Sequence, residues 1–117
     1  MLHDTEFQQQ FSSQPISAAP SALQPVIARL CRIPVEELLG KGGDARVKFA
    51  RQTAMYLMHV VCGVSLTDIA EAFGRTRPTA SDACHRIEDL RDDSRFDQHL
   101  TRLEDLLRNA IEMGAVR

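Results

Sequence analysis

The sequence predicts an all-α fold, a compact bundle of about five to six helices. Apolar residues recur at the three- and four-residue spacing of amphipathic helices from residue 23 to residue 111. Aromatic residues make up only 5% of the 117 residues and tryptophan is absent, so Leu, Ile, Val, Ala and Met must form the core. Because runs of β-branched residues are also short, the composition favours helices over strands.

The chain is predicted to divide into an N-terminal tail over residues 1–20 and one helical domain over residues 21–113. The tail is rich in Gln, Ser and Pro and cannot bury enough apolar surface to offset its ordering entropy, so we expect it to be disordered. Its apolar residues Phe7, Phe11 and Ile16 are the ones that could dock on the domain instead.

Proline and glycine set the bounds of the first three helical segments. The first ends before Pro34, because proline disfavours the helical conformation in the residue that precedes it. A short helical turn follows over residues 35–39, and Gly40 ends it. A longer helix over residues 46–62 carries one apolar stripe and stops at Gly63, a suitable C-terminal cap.

The next two helices form a helix-turn-helix over residues 65–91, at the centre of the bundle. Ser65 begins the first helix in a capping-box pattern, and Gly74 ends it where the turn needs a positive φ. Pro78 suits the first turn of the second helix, because its missing N–H would be unpaired there anyway. A last helix begins near Ser94. The apolar stripe of the second helix consists of Ala80, Ala83, Cys84, Ile87 and Leu90.

A helix-turn-helix is the unit that sets its second helix into the major groove of DNA, with the N-terminal residues of that helix facing the base edges. The candidate DNA-binding residues on this helix are Arg77, Thr79, Ser81, Asp82, His85 and Arg86. We expect Arg77 to pair with a guanine, and Thr79 or Ser81 to contact a base or a phosphate. The alternative interpretation of this pattern is a packing hairpin that binds nothing.

The charge distribution confines a DNA-facing surface to the middle of the chain. The net charge is −2, but residues 29–91 carry ten Lys or Arg against eight Asp or Glu, and both flanking segments are negative. Because the whole molecule offers little long-range attraction to DNA, the predicted surface must be a local basic patch.

Several stretches resemble a known family. The segment Ile69–Gly74, followed by Arg75 and by Ala83-Cys84-His-Arg-Ile87, is similar to the motif of the C-terminal DNA-binding domain of the bacterial replication initiator DnaA. The similarity continues through Leu38–Lys41, Ala50–Leu57 and Leu90–Ser94, and covers about residues 21–110. It implies a small, Trp-repressor-like helical fold with the helix-turn-helix at its centre, which binds a short duplex sequence.

The resemblance also implies site residues. It matches Arg75 to the Arg of the family motif and Thr79 to its second Thr. Lys41 matches the first Lys of the family's basic loop, and Arg51 matches a basic position after that loop. The remaining candidate DNA-binding residues of this region are Arg46, Lys48 and Thr76. We expect Lys41, Arg46, Arg51 and Arg75 to form a positive rim beside the outward-facing residues that follow Pro78.

The sequence departs from the family motif at positions that matter for recognition. One glycine of the motif's pair is missing, and the motif's Asp-His-Thr is replaced by Thr76-Arg77-Pro78. Asp82 stands where the family has His, and a carboxylate there could accept from a cytosine amino group but would repel phosphate. We therefore predict a different recognition sequence or weaker binding.

The chain has no glycine-rich phosphate loop of the kind that full-length initiators use to bind ATP. It therefore looks like a stand-alone DNA-binding domain without the ATPase module. We expect it to regulate replication initiation or transcription at sites related to initiator boxes, with double-stranded DNA as its partner and replication-initiation proteins as further candidates. The alternative function is a protein-interaction domain that keeps this fold with weak or no DNA affinity.

Other functional classes find little support in the sequence. His59, Cys62, Cys84 and His85 could suggest zinc, but Cys84 and His85 are adjacent and would point about 100° apart on a helix. Nothing in the sequence points to a nucleophile, a base and an orienting group arranged as a catalytic site. We therefore expect no enzymatic activity, no cofactor and no small-molecule substrate. Neither a secretory signal nor a membrane span is present, so we expect a cytoplasmic location with reduced thiols.

Overall fold

The computed structural model describes residues 19–114, which form six α-helices and no strand. This confirms the predicted all-α class and helix number. The predicted tail lies outside the described residues except for Ala19 and Pro20. In chain order the helices are α1 (Pro20–Cys31), α2 (Val35–Leu39), α3 (Ala45–Val60), α4 (Leu66–Phe73), α5 (Arg77–Leu90) and α6 (Ser94–Glu112).

The central element is α3, which packs against α1, α2, α4 and α5. Because neighbours surround it, α3 is buried over most of its circumference rather than along the single stripe that the sequence predicts. Even its polar residue Thr53 is buried, and the Thr53 hydroxyl donates to the carbonyl of Phe49 at 3.0 Å. The other helices are therefore positioned relative to α3.

Local hydrogen bonds explain where α3 begins and ends. Its N-terminal cap is Asp44, whose carboxylate accepts from the Val47 N–H at 3.0 Å, so α3 begins one residue earlier than predicted. The helix ends at Val60, two residues earlier than predicted, and the backbone reverses at Gly63 with a φ of 69°. The Val64 N–H donates to the carbonyl of Met58 at 3.1 Å, which closes the turn.

The helix-turn-helix consists of α4 and α5. The Ser65 hydroxyl accepts from the Asp68 N–H at 3.1 Å, as the capping pattern predicts. At the other end of α4, Gly74 adopts a φ of 64°, which confirms the positive φ expected there. Thr76 then caps α5 by accepting from the Thr79 N–H at 3.3 Å, so α5 begins one residue before Pro78.

The apolar stripe of α5 is narrower than predicted. Ala80, Ala83 and Ile87 are buried, but Cys84 is only half-buried and Leu90 is 36% exposed. The reason is that α4 has only eight residues, and the main neighbours of α5 are α4 and α3. Much of the surface of α5 is consequently exposed.

The last helix closes the bundle against α1, with Leu100, Leu103 and Leu107 buried and Leu106 left 45% exposed. Its N-terminal cap is Asp93, whose carboxylate accepts from the N–H groups of the next helical residues. Across residues 19–114, none of the helices combines the length and the apolar character needed to cross a membrane.

Candidate nucleic-acid interface

The first turn of α5 points away from the bundle. Thr76, Arg77, Pro78 and Thr79 are all exposed within the described part of the chain. The hydroxyl groups of Thr76 and Thr79 lie 3.0 Å apart, so the capping interaction also fixes the two side chains relative to each other. These leading residues are therefore accessible to a partner.

A concave surface of about 500 Å³ lies beside this turn, between the loop that precedes α3, α3 itself and α5. We call it the basic cleft, because five cationic side chains and a single carboxylate line it. Its lining residues are Lys41, Lys48, Arg51, Gln52, Met55, Arg75, Thr79, Asp82, Ala83 and Arg86.

The side chain of Arg51 lies buried at the floor of the basic cleft and does not extend into solvent. It is only 5% exposed, and its Nε donates to the carbonyl of Leu38 at 2.8 Å. Its Nη2 donates to the carbonyls of Glu37 and Gly42, each at 2.9 Å. The Arg51 guanidinium thus holds the loop between α2 and α3 in place, and its contact with DNA stays a prediction.

Arg75 connects the turn of the helix-turn-helix to the same loop. Its guanidinium donates to the carbonyl of Phe73 at 2.7 Å and to the carbonyl of Gly40 at 3.0 Å. Burial, together with the neighbouring Arg75 charge, holds the pKa of Arg51 below its ordinary value. Two like charges thus lie close together, each bonded to carbonyl oxygens, and an anion placed near them would relieve their repulsion.

The other lining cations are exposed. Lys41, Lys48 and Arg86 have exposed side chains, and the Arg86 guanidinium lies 6.0 Å from the centre of the Phe49 ring. Such a cation–π contact orients a guanidinium without neutralising it. Within residues 19–114, the ion pairs between side chains are formed by Arg91 and Arg108, and neither residue lines the basic cleft.

Two of the predicted DNA-binding residues of α5, Ser81 and His85, do not line the basic cleft. Ser81 and His85 are one helical turn apart outside the basic cleft, and the Ser81 hydroxyl lies 3.5 Å from His85 Nδ1. Thr79, Asp82 and Arg86 line the cleft instead, at three- and four-residue spacing. The candidate residues of α5 therefore cover two adjacent sides of its exposed surface.

Arg46 does not belong to the rim that the sequence analysis predicts. It is exposed but lines a separate groove formed with α6. Residues 46 and 48 are about 200° apart around a helix, so Arg46 and Lys48 face opposite sides of α3. Conversely, Gln52 lines the basic cleft although it is not among the predicted residues, and its position four residues after Lys48 is the signal that points to it.

The residues that raised the possibility of zinc do not converge. In the described part of the chain, no three His, Cys, Asp or Glu side chains lie close enough together to hold a metal ion. Burial raises the pKa of the Cys62 thiol to about 12, which keeps this thiol protonated at neutral pH.

Comparison with known proteins assigns the family. The family model described as the bacterial DnaA protein helix-turn-helix matches residues 20–87, which include α1 to α4 and most of α5. The chain belongs to this DnaA helix-turn-helix family. The match places the basic cleft and the exposed turn of α5 within a DnaA-type helix-turn-helix, which is a DNA-binding domain.

A curated DnaA relative extends the match beyond α5. The chain is 31% identical over 97 residues to the chromosomal replication initiator protein DnaA of Rippkaea orientalis (strain PCC 8801 / RF-1). The aligned region covers 81% of this chain but only 21% of that DnaA protein. The chain thus spans about a fifth of the length of this relative.

Proposed function

We propose that this DnaA-family protein binds double-stranded DNA sequence-specifically and regulates chromosomal replication initiation or transcription. Its sites would be related to initiator boxes. Acting in the cytoplasm, the protein would bind these sites without catalysing a reaction, and a full-length initiator would compete with it or join it there.

One observation carries this proposal: the exposed first turn of α5 lies beside a cleft lined by five cations and one carboxylate. Placing α5 in the major groove brings its leading residues to the base edges. The basic cleft then faces the phosphates that border the groove, and phosphate contacts fix the orientation of a protein on the duplex. A helix N-terminus adds a further favourable field for a phosphate.

Sequence preference would come from residues that differ from the family motif. Arg77 is exposed at the start of α5 and presents the bidentate donor geometry that guanine accepts in the major groove. Asp82 is exposed one turn later, and its carboxylate can accept from a cytosine amino group. We therefore expect a recognition sequence that differs from the usual initiator box at the base pairs facing these two residues.

The experiment compares three substitutions by fluorescence anisotropy on short duplexes at several salt concentrations. Arg77→Ala should cost about 1–3 kcal/mol and relax the preference at one base pair, because it removes a base contact. Lys48→Ala should weaken binding to all duplexes alike and lower the salt slope by about one, because it removes a phosphate contact. Arg95→Ala is the matched control, an exposed arginine on α6 that does not line the basic cleft.

Absence of measurable duplex affinity at physiological salt would contradict the proposal and favour the protein-interaction alternative. Equal effects of Arg77→Ala and Arg95→Ala would also contradict it. Genome-wide mapping of bound DNA then tests the regulatory role. Enrichment at the origin, together with a changed origin-to-terminus ratio on depletion, is the result expected for a regulator of initiation.

A further inference from the structure

A second concave surface lies on the side of α3 opposite the basic cleft. It has a volume of about 500 Å³ and lies between the end of α1, α3 and α6. We call it the arginine groove, because its lining residues include three arginines and, within residues 19–114, no Asp or Glu. The arginines are Arg32, Arg46 and Arg102, and all three are exposed.

Apolar side chains lie between these arginines. Phe49 and Phe96 are half-buried, with their ring centres 5.7 Å apart, and the 45% exposed Leu106 lies beside them. An apolar floor with a cationic rim suits an acidic segment that carries aromatic side chains. Double-stranded DNA fits this surface poorly, because its outer surface presents phosphates and no apolar group that could cover the apolar floor of the groove.

The chain itself contains a segment of this chemistry. Residues 1–18 contain Asp4 and Glu6 and no Lys or Arg. Phe7 and Phe11 follow at a spacing of four, so both aromatic rings would share one side of a helix. The charge of this segment is opposite to that of the arginine groove, and its aromatic residues match the apolar floor.

The length of the segment allows it to reach the arginine groove. The groove lies at the C-terminal end of α1, whereas residue 19 precedes its N-terminal end. The 12 residues of α1 span about 18 Å, at roughly 1.5 Å per residue. About six extended residues cover that distance at roughly 3.3 Å each, which leaves residues 4–11 free to lie in the groove.

We propose that residues 4–11 dock into the arginine groove of the same molecule, with Phe7 and Phe11 on Phe49, Phe96 and Leu106. Asp4 and Glu6 then face the arginines of the rim. The docked segment gives Arg46 a role that its position outside the basic cleft does not explain. The docked segment covers a face of α3 whose Phe49 also contacts Arg86 of the basic cleft.

The test is NMR spectroscopy of the full chain without DNA, so that its outcome is independent of the proposed DNA binding. Phe7→Ser combined with Phe11→Ser should shift the side-chain signals of Phe49, Phe96 and Leu106. Signals of α4 should stay unchanged. Ile16→Ser is the matched control, because it also removes an apolar side chain but lies in the connecting residues. Groove signals that are identical in the wild type and the double variant would overturn the proposal.

Charge reversal tests the rim. Asp4→Lys combined with Glu6→Lys should shift the groove signals in the same direction as the two Phe substitutions. Adding Arg46→Glu and Arg102→Glu to that variant should restore them, and failure to do so would overturn the predicted charge pairing. The wild-type signals should be independent of protein concentration; signals that change on dilution would place the segment on a second copy and overturn docking within one molecule.

Discussion

At the scale of single residues, Arg51 and Arg75 combine a structural role with a source of charge. Both guanidinium groups donate to backbone carbonyls of the segment that links α2 to α3, Arg51 to Leu38 and Gly42 and Arg75 to Gly40. A carbonyl oxygen satisfies the donor but leaves the positive charge in place, whereas a carboxylate would cancel it. The contacts that shape the basic cleft thus also keep it positive.

Arg51→Met is expected to destabilise the protein by about 1–3 kcal/mol, because the buried Leu38 carbonyl would lose its donor. Urea unfolding followed by circular dichroism measures this loss. Lys48→Met is the matched control, since it removes an equal charge from the exposed edge of the cleft and should change stability by less than about 0.5 kcal/mol. Equal stabilities of the two variants would contradict the positioning role of Arg51.

At the scale of elements, the loop before α3 depends on a close approach of backbone to helix. Gly43 has a φ of 107°, and a Cβ added there would lie 2.7 Å from Val47 Cβ. Val47 is buried in the core, so it cannot move aside without disturbing its neighbours. A glycine is therefore required at this position, and the loop that carries Lys41 is tied to the first turn of α3.

Gly43→Ala is expected to cost about 1–3 kcal/mol, because the new side chain meets Val47 in a backbone conformation that favours glycine. Thermal unfolding measures the effect as a lowered Tm. Gly42→Ala is a close control, since a Cβ at the neighbouring position meets nothing within 4 Å. A Tm lowered equally by both substitutions would refute this explanation.

At the scale of the whole molecule, Arg91 joins three helices at the end of α5. It donates to Asp97 at 2.6 Å and to Glu104 at 2.8 Å on α6, and to the Tyr56 hydroxyl of α3 at 3.1 Å. The Tyr56 hydroxyl in turn donates to Glu88 of α5 at 2.8 Å. This network fixes the C-terminal end of α5, so the orientation of the proposed DNA-reading helix depends on residues far from its first turn.

Arg91→Met is expected to lower the free energy of unfolding by about 1–3 kcal/mol, because Glu104 would stay largely buried without its cation. Chemical denaturation provides the measurement. Arg95→Met should change stability by less than about 0.5 kcal/mol, since this side chain is exposed. If Arg91→Met combined with Glu104→Met is as unstable as the sum of the single variants, the two residues do not interact.

Local chemistry was sufficient to predict most helix ends. Gly74 and Ser65 were predicted correctly because a positive φ and a side-chain cap involve only neighbouring residues. Asp44 and Thr76 cap α3 and α5 by the same local chemistry, but neither was predicted as a cap. The starts of α3 and α5 were therefore predicted one residue too late, while the number and the order of the helices were correct.

The sequence by itself determined the all-α class, the helix-turn-helix and the family, because these follow from periodicity, caps and motif residues. Only the tertiary structure decided that Arg51 is buried against carbonyls and that α1 and α6 border the side of α3 that carries Arg46. The physical reason is that spacing along a helix fixes which residues share a face. Which face a neighbouring helix covers depends on packing between segments that are distant in the chain.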